Sequence, residues 1–159
     1  MSDSDFSSAY QQIHDLAGEA LLAEIGQPRR LASWPARLLS RRAECCAGPD
    51  GTTLAYGGWV PRNAAAWTHG NWIIARQRTP PSRCLLNHEY VHVLQYRAEG
   101  TLRFYWHYLG DLVAAWRSRR TVWEVSPYER VAEKIEQVYR AHPEVPDLWN
   151  LDEAAQNAP

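Results

Sequence analysis

His88 and His92 stand four residues apart inside a run that is otherwise largely apolar, and no other feature constrains the fold of this chain as tightly. Leu85, Leu86, Val91, Val93 and Leu94 surround the pair, and Tyr90 is uncharged. Such a run predicts a helix that can be buried. Thr79-Pro80-Pro81-Ser82 is its start, with Thr79 or Ser82 as cap and proline tolerated in the first turn. It runs to about Arg97 or Glu99, and Gly100 stops it. Residues four apart lie one above the other on the same face. Burying His88, Glu89 and His92 there without a partner would be costly. The spacing therefore calls for something that compensates all three.

A shared cation would do so. Two neutral imidazoles at this spacing can hold one zinc ion at about 2.0–2.1 Å each. Glu89 points to a neighbouring direction, close to the metal without binding it, where it can take a proton from a water on the metal and later return it to a leaving amine. This is why the His-Glu-x-x-His pattern marks zinc hydrolases. The competing reading is a surface helix with chance histidines or a salt-bridged pair.

Zinc needs a third protein ligand, and in one group of zinc peptidases it is a glutamate on a later helix. A helix is expected from Ser126-Pro127 to about His142, with Tyr128, Val131, Ala132, Ile135, Val138 and Tyr139 as its apolar stripe. Glu129 and Glu136 flank that stripe, and Glu133 points nearly away. Glu129 also lies one turn before Ala132, whose small side chain permits close helix approach. It is the first choice, Glu136 the second and Glu133 the third. A rival role for Glu129 is to close a capping box with Ser126.

The remaining elements give an α+β expectation, mostly helical, with a small sheet ahead of the histidine helix. Residues 6–26 read as a helix ended by Gly26 and Pro28. Arg37 to Cys46 reads as a short helix or turn, and Gly48-Pro49-Asp50-Gly51 as a turn. Leu54–Val60 and Asn71–Arg76 read as strands. A further helix is expected over Leu102–Arg119, its stripe marked by Leu102, Tyr105, Leu109, Leu112, Val113 and Trp116. We expect one domain over residues 1–159: a helical region over 1–50, a core over 54–142, and a loosely ordered acidic tail over 143–159.

Composition excludes more than it selects. The 159 residues carry a net charge of −1, so no global field points to nucleic acid or acidic lipid. Lys134 is the sole lysine. Residues 1–28 hold acids and no Lys or Arg, and residues 29–42 hold five arginines and no acid. These segments read as solvated faces that attract one another; the alternative, a polyanion patch, lacks lysines, interleaved aromatics and any nucleic-acid motif. Cys45, Cys46 and Cys84 show no metal-thiolate spacing, and adjacent cysteines do not form an ordinary bridge, so a reducing compartment and buried or inert thiols are expected. The acidic start is unlike a signal peptide, and no apolar run is long enough to span a membrane. The expected location is the cytoplasm, or export without a cleaved signal.

The run His88-Glu89-Tyr90-Val91-His92-Val93-Leu94-Gln95-Tyr96 resembles bacterial zinc-metallopeptidase domains in which the motif continues with Gln-Tyr or Gln-Gln. These uncharacterised domains are similar to gluzincins, the peptidases with two His ligands and one Glu, and some accompany toxin or contractile injection systems. The resemblance extends to the strand Gly70–Ile74, to the aromatic helix Phe104–Leu109, and to Ser126-Pro127-Tyr128-Glu129-Arg130-Val131-Ala132, which matches an Asn-Pro-x-Glu-x-Glu-Ala-like segment. Val131 replaces the second Glu of that pattern, which leaves Glu129 as carrier of the ligand role. The likeness covers about residues 54–140. It implies one zinc ion, a minimal zincin-like fold with the third ligand on a later helix, and a hydrolytic centre.

The expected mechanism is peptide hydrolysis on zinc held by His88, His92 and Glu129, with Glu89 as general base and then acid. A further donor must meet the oxyanion, and Tyr96, Tyr105, His107 and Tyr108 are the candidates. The strand around Trp72-Ile73-Ile74 could present an edge to an extended peptide, or be an ordinary core strand. The expected partner is a peptide or protein substrate, with a dedicated protein partner also considered. A second hypothesis keeps the zinc but assigns a regulatory or interaction module with little turnover. In it the eight tryptophans supply contact surface, and Asp147-Leu148-Trp149 is a docking peptide or a lid over the metal cleft.

Overall fold

A computed structural model describes residues 3–20 and 34–151. Six helices and four strands form an α+β arrangement among these residues. Helix α1 covers Asp3–Ala20 and α2 covers Trp34–Leu39. Strands β1 (Glu44–Ala47), β2 (Thr53–Tyr56), β3 (Ala66–His69) and β4 (Trp72–Ala75) follow. Then come α3 (Arg83–Glu99), α4 (Thr101–Ser118), α5 (Val122–Val125) and α6 (Pro127–Ala141). The expected end of the first helix at 21–26, the arginines at 29 and 30, and the tail beyond 151 lie outside the described residues.

The sheet is mixed, in the order β1-β2-β4-β3. β1 and β2 are antiparallel, β2 and β4 parallel, and β4 and β3 antiparallel. Alternation divides its faces. Leu54 and Ile73 join the main core with Val91 and Val93 of α3, while Ala55 and Ile74 form a smaller core with Ala36 of α2 and Val60. β4 is thus an interior strand. Its neighbours on both sides remove the free edge considered for Trp72-Ile73-Ile74; the strand at that end of the sheet is β3.

β3 was not expected from the sequence. It follows an alanine run, and alanine is a weak strand former. Pairing with β4 through the two-residue Gly70-Asn71 loop holds it in place, with Gly70 at φ 60°, a conformation that suits a tight hairpin. The short helix or turn expected over 37–46 is corrected too. The helix stops at Leu39, and Cys45 and Cys46 sit on β1, exposed rather than buried. Antiparallel pairing with β2, in register with Tyr56, Ala55, Leu54 and Thr53, overrides the local helical tendency.

Helix α3 is central and packs against α1, α4, α6 and the sheet. Ser82 caps it by accepting from Leu85 N–H at 3.2 Å. Gly100, at φ 79°, ends it and turns the chain directly into α4. α6 approaches α3 closely through Ala132, which is fully buried. Residues 143–151, placed by sequence in a loose tail, instead pack onto this core. Val145, Leu148 and Leu151 are buried, and Tyr139 donates to Pro146 O at 2.7 Å. The Arg83 guanidinium bonds Asp147 at 2.6 Å and the carbonyls of Pro143 and Val145. No helix among the described residues is long and apolar enough to cross a membrane.

Candidate metal centre

α3 presents His88 and His92 one turn apart, with ring centroids 5.2 Å from each other. The first turn of α6 brings Glu129 opposite them. Its Oε2 lies 3.7 Å from His88 Nε2 and 3.6 Å from His92 Nε2. Two donors held about 2.0–2.1 Å from one tetrahedral ion stand roughly 3.3–3.4 Å apart, so the observed separations are within a few tenths of an ångström of that geometry.

Each ring has a polar side chain near its far nitrogen. His92 Nδ1 lies 2.7 Å from Gln95 Oε1, and Gln95 Nε2 donates in turn to Tyr128 O at 3.3 Å. His88 Nδ1 lies 3.2 Å from Glu136 Oε2, and Glu136 is paired with Arg140 at 2.7 Å. Both imidazoles turn Nε2 toward Glu129; His92 does so with an outer acceptor on its other nitrogen, as in metal-bound histidines, whereas His88 Nδ1 is within ion-pair distance of Glu136 without a hydrogen bond. Glu136, second choice as third ligand, sits on the far side of His88, and Glu133 is exposed to solvent. Ser126 makes no side-chain cap bond, so the capping-box role for Glu129 is not realised; a capping box occurs at Thr121 and Glu124 instead.

Charge preferences follow the same geometry. Burial works against a protonated His88, but the Glu129 and Glu136 carboxylates outweigh it and raise its pKa to about 10. Burial likewise opposes an ionised Glu129, yet the two imidazoles hold it well below the usual carboxylate range. The pocket is built to keep a carboxylate charged and to share a positive charge with it. The N, N, O donor set fits a zinc ion, which would take the place of the proton on His88.

Glu89 is buried beside this group, and β3 holds it. The Thr68 hydroxyl lies 2.7 Å from Glu89 Oε2 and 3.1 Å from the Glu89 carbonyl. Its single hydrogen is best given to the nearer, charged acceptor. A cleft of about 730 Å³ opens over the site, walled by residues 61–68 on one side and by α4 on the other. His88, Glu89, His92 and Glu129 all line it.

Of the four candidate oxyanion donors, three face this cleft: Tyr96, Tyr105 and Tyr108. Tyr108 stands beside Glu129. Burial, then the Glu129 and Glu89 charges, raises its pKa, so its phenol keeps its proton. Tyr105 is bonded to His69 Nδ1, and Tyr96 is stacked on Phe104 with centroids 3.9 Å apart. His107 is corrected: it points to the opposite side of α4, 3.1 Å from Glu99 and 2.7 Å from the Tyr128 hydroxyl. Position 107 falls on the other flank of α4 from Tyr105 and Tyr108. Asp147-Leu148-Trp149 does not line the cleft; it packs on the far side of α3, with Trp149 against Tyr90 at 5.4 Å.

Sequence reasoning missed the roles of Thr68, Gln95 and Glu136. The last two carry a signal: Gln95 lies three residues after His92, and Glu136 two turns after Glu129 on one helix face. Thr68 carries none, because its role depends on a hairpin docking 21 residues upstream of Glu89. No family model, no curated protein and no solved structure matches this chain.

Proposed function

We propose that this protein is a zinc-dependent peptidase with a minimal zincin-like core. The observation that carries this reading is the meeting of one ring nitrogen each of His88 and His92 and a Glu129 carboxylate oxygen within 4.8 Å of one another, in the cleft that Glu89 also lines. When bound, zinc would supply a Lewis acid that acidifies water and polarises a carbonyl.

The chain's own residues do the rest. His88, His92 and Glu129 would hold the ion. Glu89, fixed by Thr68, accepts a proton from the attacking water and hands it to the leaving amine. The Tyr108 phenol, protonated and beside Glu129, donates to the oxygen on which charge develops. The open trough between residues 61–68 and α4 suits a peptide segment rather than a small enclosed ligand.

The alternative of a zinc-binding interaction module draws on one observation, the large apolar side chains that α4 exposes. Metal analysis of the purified protein and the Glu89→Gln variant separate the possibilities. One zinc per chain is expected in both proteins, with peptide cleavage lost by about 10²–10⁴-fold in the variant. A protein that takes up no zinc defeats both readings. Equal behaviour of wild type and variant, with zinc bound, leaves the interaction module.

A further inference from the structure

The apolar stripe of α4 faces the wrong way for a core. Leu102, Trp106, Leu109, Val113 and Trp116 recur at spacings of four and three, the pattern of a coiled-coil seam. All five are between 46% and 88% exposed. The helix instead buries Phe104 and Ala115, which lie on its opposite side, against the rest of the fold. An ordinary surface helix turns its stripe inward. Here 18 residues, about 27 Å of helix, offer it to solvent.

One flank of this seam is basic. Taking Leu102, Leu109 and Trp116 as d positions and Trp106 and Val113 as a positions, Arg103 and Arg117 fall at e, and both are exposed. Flanking charges set partner choice in such pairings. A second copy fits poorly. Antiparallel self-pairing sets Arg103 against Arg117, and parallel self-pairing sets Arg117 toward Leu112 and leaves Arg103 with no facing residue on α4, so neither gives the arginines an acid. An amphipathic helix with acidic flanks satisfies both the seam and the arginines. Leu112 and Trp116 also line the cleft over the metal centre, so the seam is continuous with its rim.

We propose that the solvent face of α4 docks an amphipathic helix of a partner protein, one whose heptad apolar seam is flanked by Asp or Glu. The partner would lie along the rim of the cleft, placed to deliver a segment to it or to control access. This inference stands whether or not the centre cleaves peptides.

The probe is a synthetic peptide of about three heptads with Leu at a and d and Glu at e and g, titrated against the full chain by fluorescence anisotropy; a matched peptide carries Lys at e and g. The Glu peptide is expected to bind at least about fivefold tighter than the Lys peptide, and less tightly as salt is raised. Leu109→Glu should abolish binding, while Ala114→Glu, exposed and outside the seam, should not. Both sites are on the surface, and unchanged circular dichroism checks the fold. Arg103→Glu with Arg117→Glu should reverse the preference toward the Lys peptide. Absence of binding, equal binding of both peptides, or a preference unmoved by the charge reversal overturns the proposal. So does sedimentation showing a dimer that Leu109→Glu dissociates, which assigns the face to a second copy. Binding to anionic vesicles with none to the peptide assigns it to a lipid surface and equally overturns it.

Discussion

Thr68 and Glu136 are the residues through which the surrounding fold reaches the candidate centre, and each has a distinct expected phenotype. Thr68 steers Glu89 and touches no proposed ligand. Thr68→Val keeps the volume and removes the hydroxyl, leaving Glu89 with one partner fewer. Zinc content should be unchanged while kcat falls, and urea denaturation should show a loss of about 1–3 kcal/mol for the unsatisfied buried group. Glu136 acts through His88. Glu136→Gln should weaken zinc about 10–100-fold in a chelator competition, whereas Glu133→Gln, on the solvent side, should change nothing. Equal effects at 133 and 136 would contradict the geometry. His88 to His92 was legible from spacing alone, because a single helix turn sets where both rings point. The choice among Glu129, Glu133 and Glu136 was legible only in part. Helical phase placed Glu133 outward, but both others flank one stripe, and only the docking of α6 decides which meets Nε2 and which meets Nδ1.

At the level of elements, two long-range pins hold the frame of α3. At its C-terminal end Arg97 bonds Asp50 and Asn71, tying down the β1–β2 turn and the β3–β4 loop. The Arg97 hydrogen bond lowers the pKa of Asp50 from its ordinary 3.8, against burial and with help from Tyr90. A depressed folded-state pKa gives stability that is present above the unfolded value and is lost as pH falls through the folded one. Asp50 adopts a left-handed conformation, φ 46°, which asparagine tolerates, so Asp50→Asn isolates the charge. The variant should be less stable near neutral pH, and the gap should close below pH about 4. At the other end, Asn87 bonds Arg83 O, Asp147 and Leu148 N–H. Asn87→Ala should cost about 1–3 kcal/mol in urea denaturation and free residues 143–151 for proteolysis. Intact resistance in that variant would show that the apolar contacts alone hold the segment. None of this was visible in the sequence, which for residues 143–151 shows a short acidic, proline-containing stretch with a few apolar side chains and no periodicity.

For the molecule as a whole, the candidate centre joins two helices that otherwise meet through a largely apolar seam and a few hydrogen bonds from Tyr128 to Glu99 and from Gln95 to the Tyr128 carbonyl. A ligand that binds only the folded state raises stability by mass action. Zinc added at about 100 times its Kd should stabilise the protein by about 2.7 kcal/mol, read as an upward shift of the thermal midpoint. His88→Ala should abolish that shift. A metal-independent midpoint in the wild type would exclude zinc from the α3–α6 junction.

Read alone, the sequence determined what depends on local periodicity. The apolar run around the histidines, a cap at Thr79 or Ser82 and the Gly100 stop predict α3, and that helix determines the facing of His88 and His92. Tertiary structure decided everything that depends on which surfaces meet. Pairing with β4 made a strand of Ala66–His69 and put Thr68 on Glu89. Docking of α6 set Glu129 against both Nε2 atoms and Glu136 near His88 Nδ1. Packing turned the α4 stripe outward, although its spacing reads as a core face. Periodicity says which side chains share a face; it carries no information about which face the rest of the chain covers, because that depends on contacts between residues far apart in sequence.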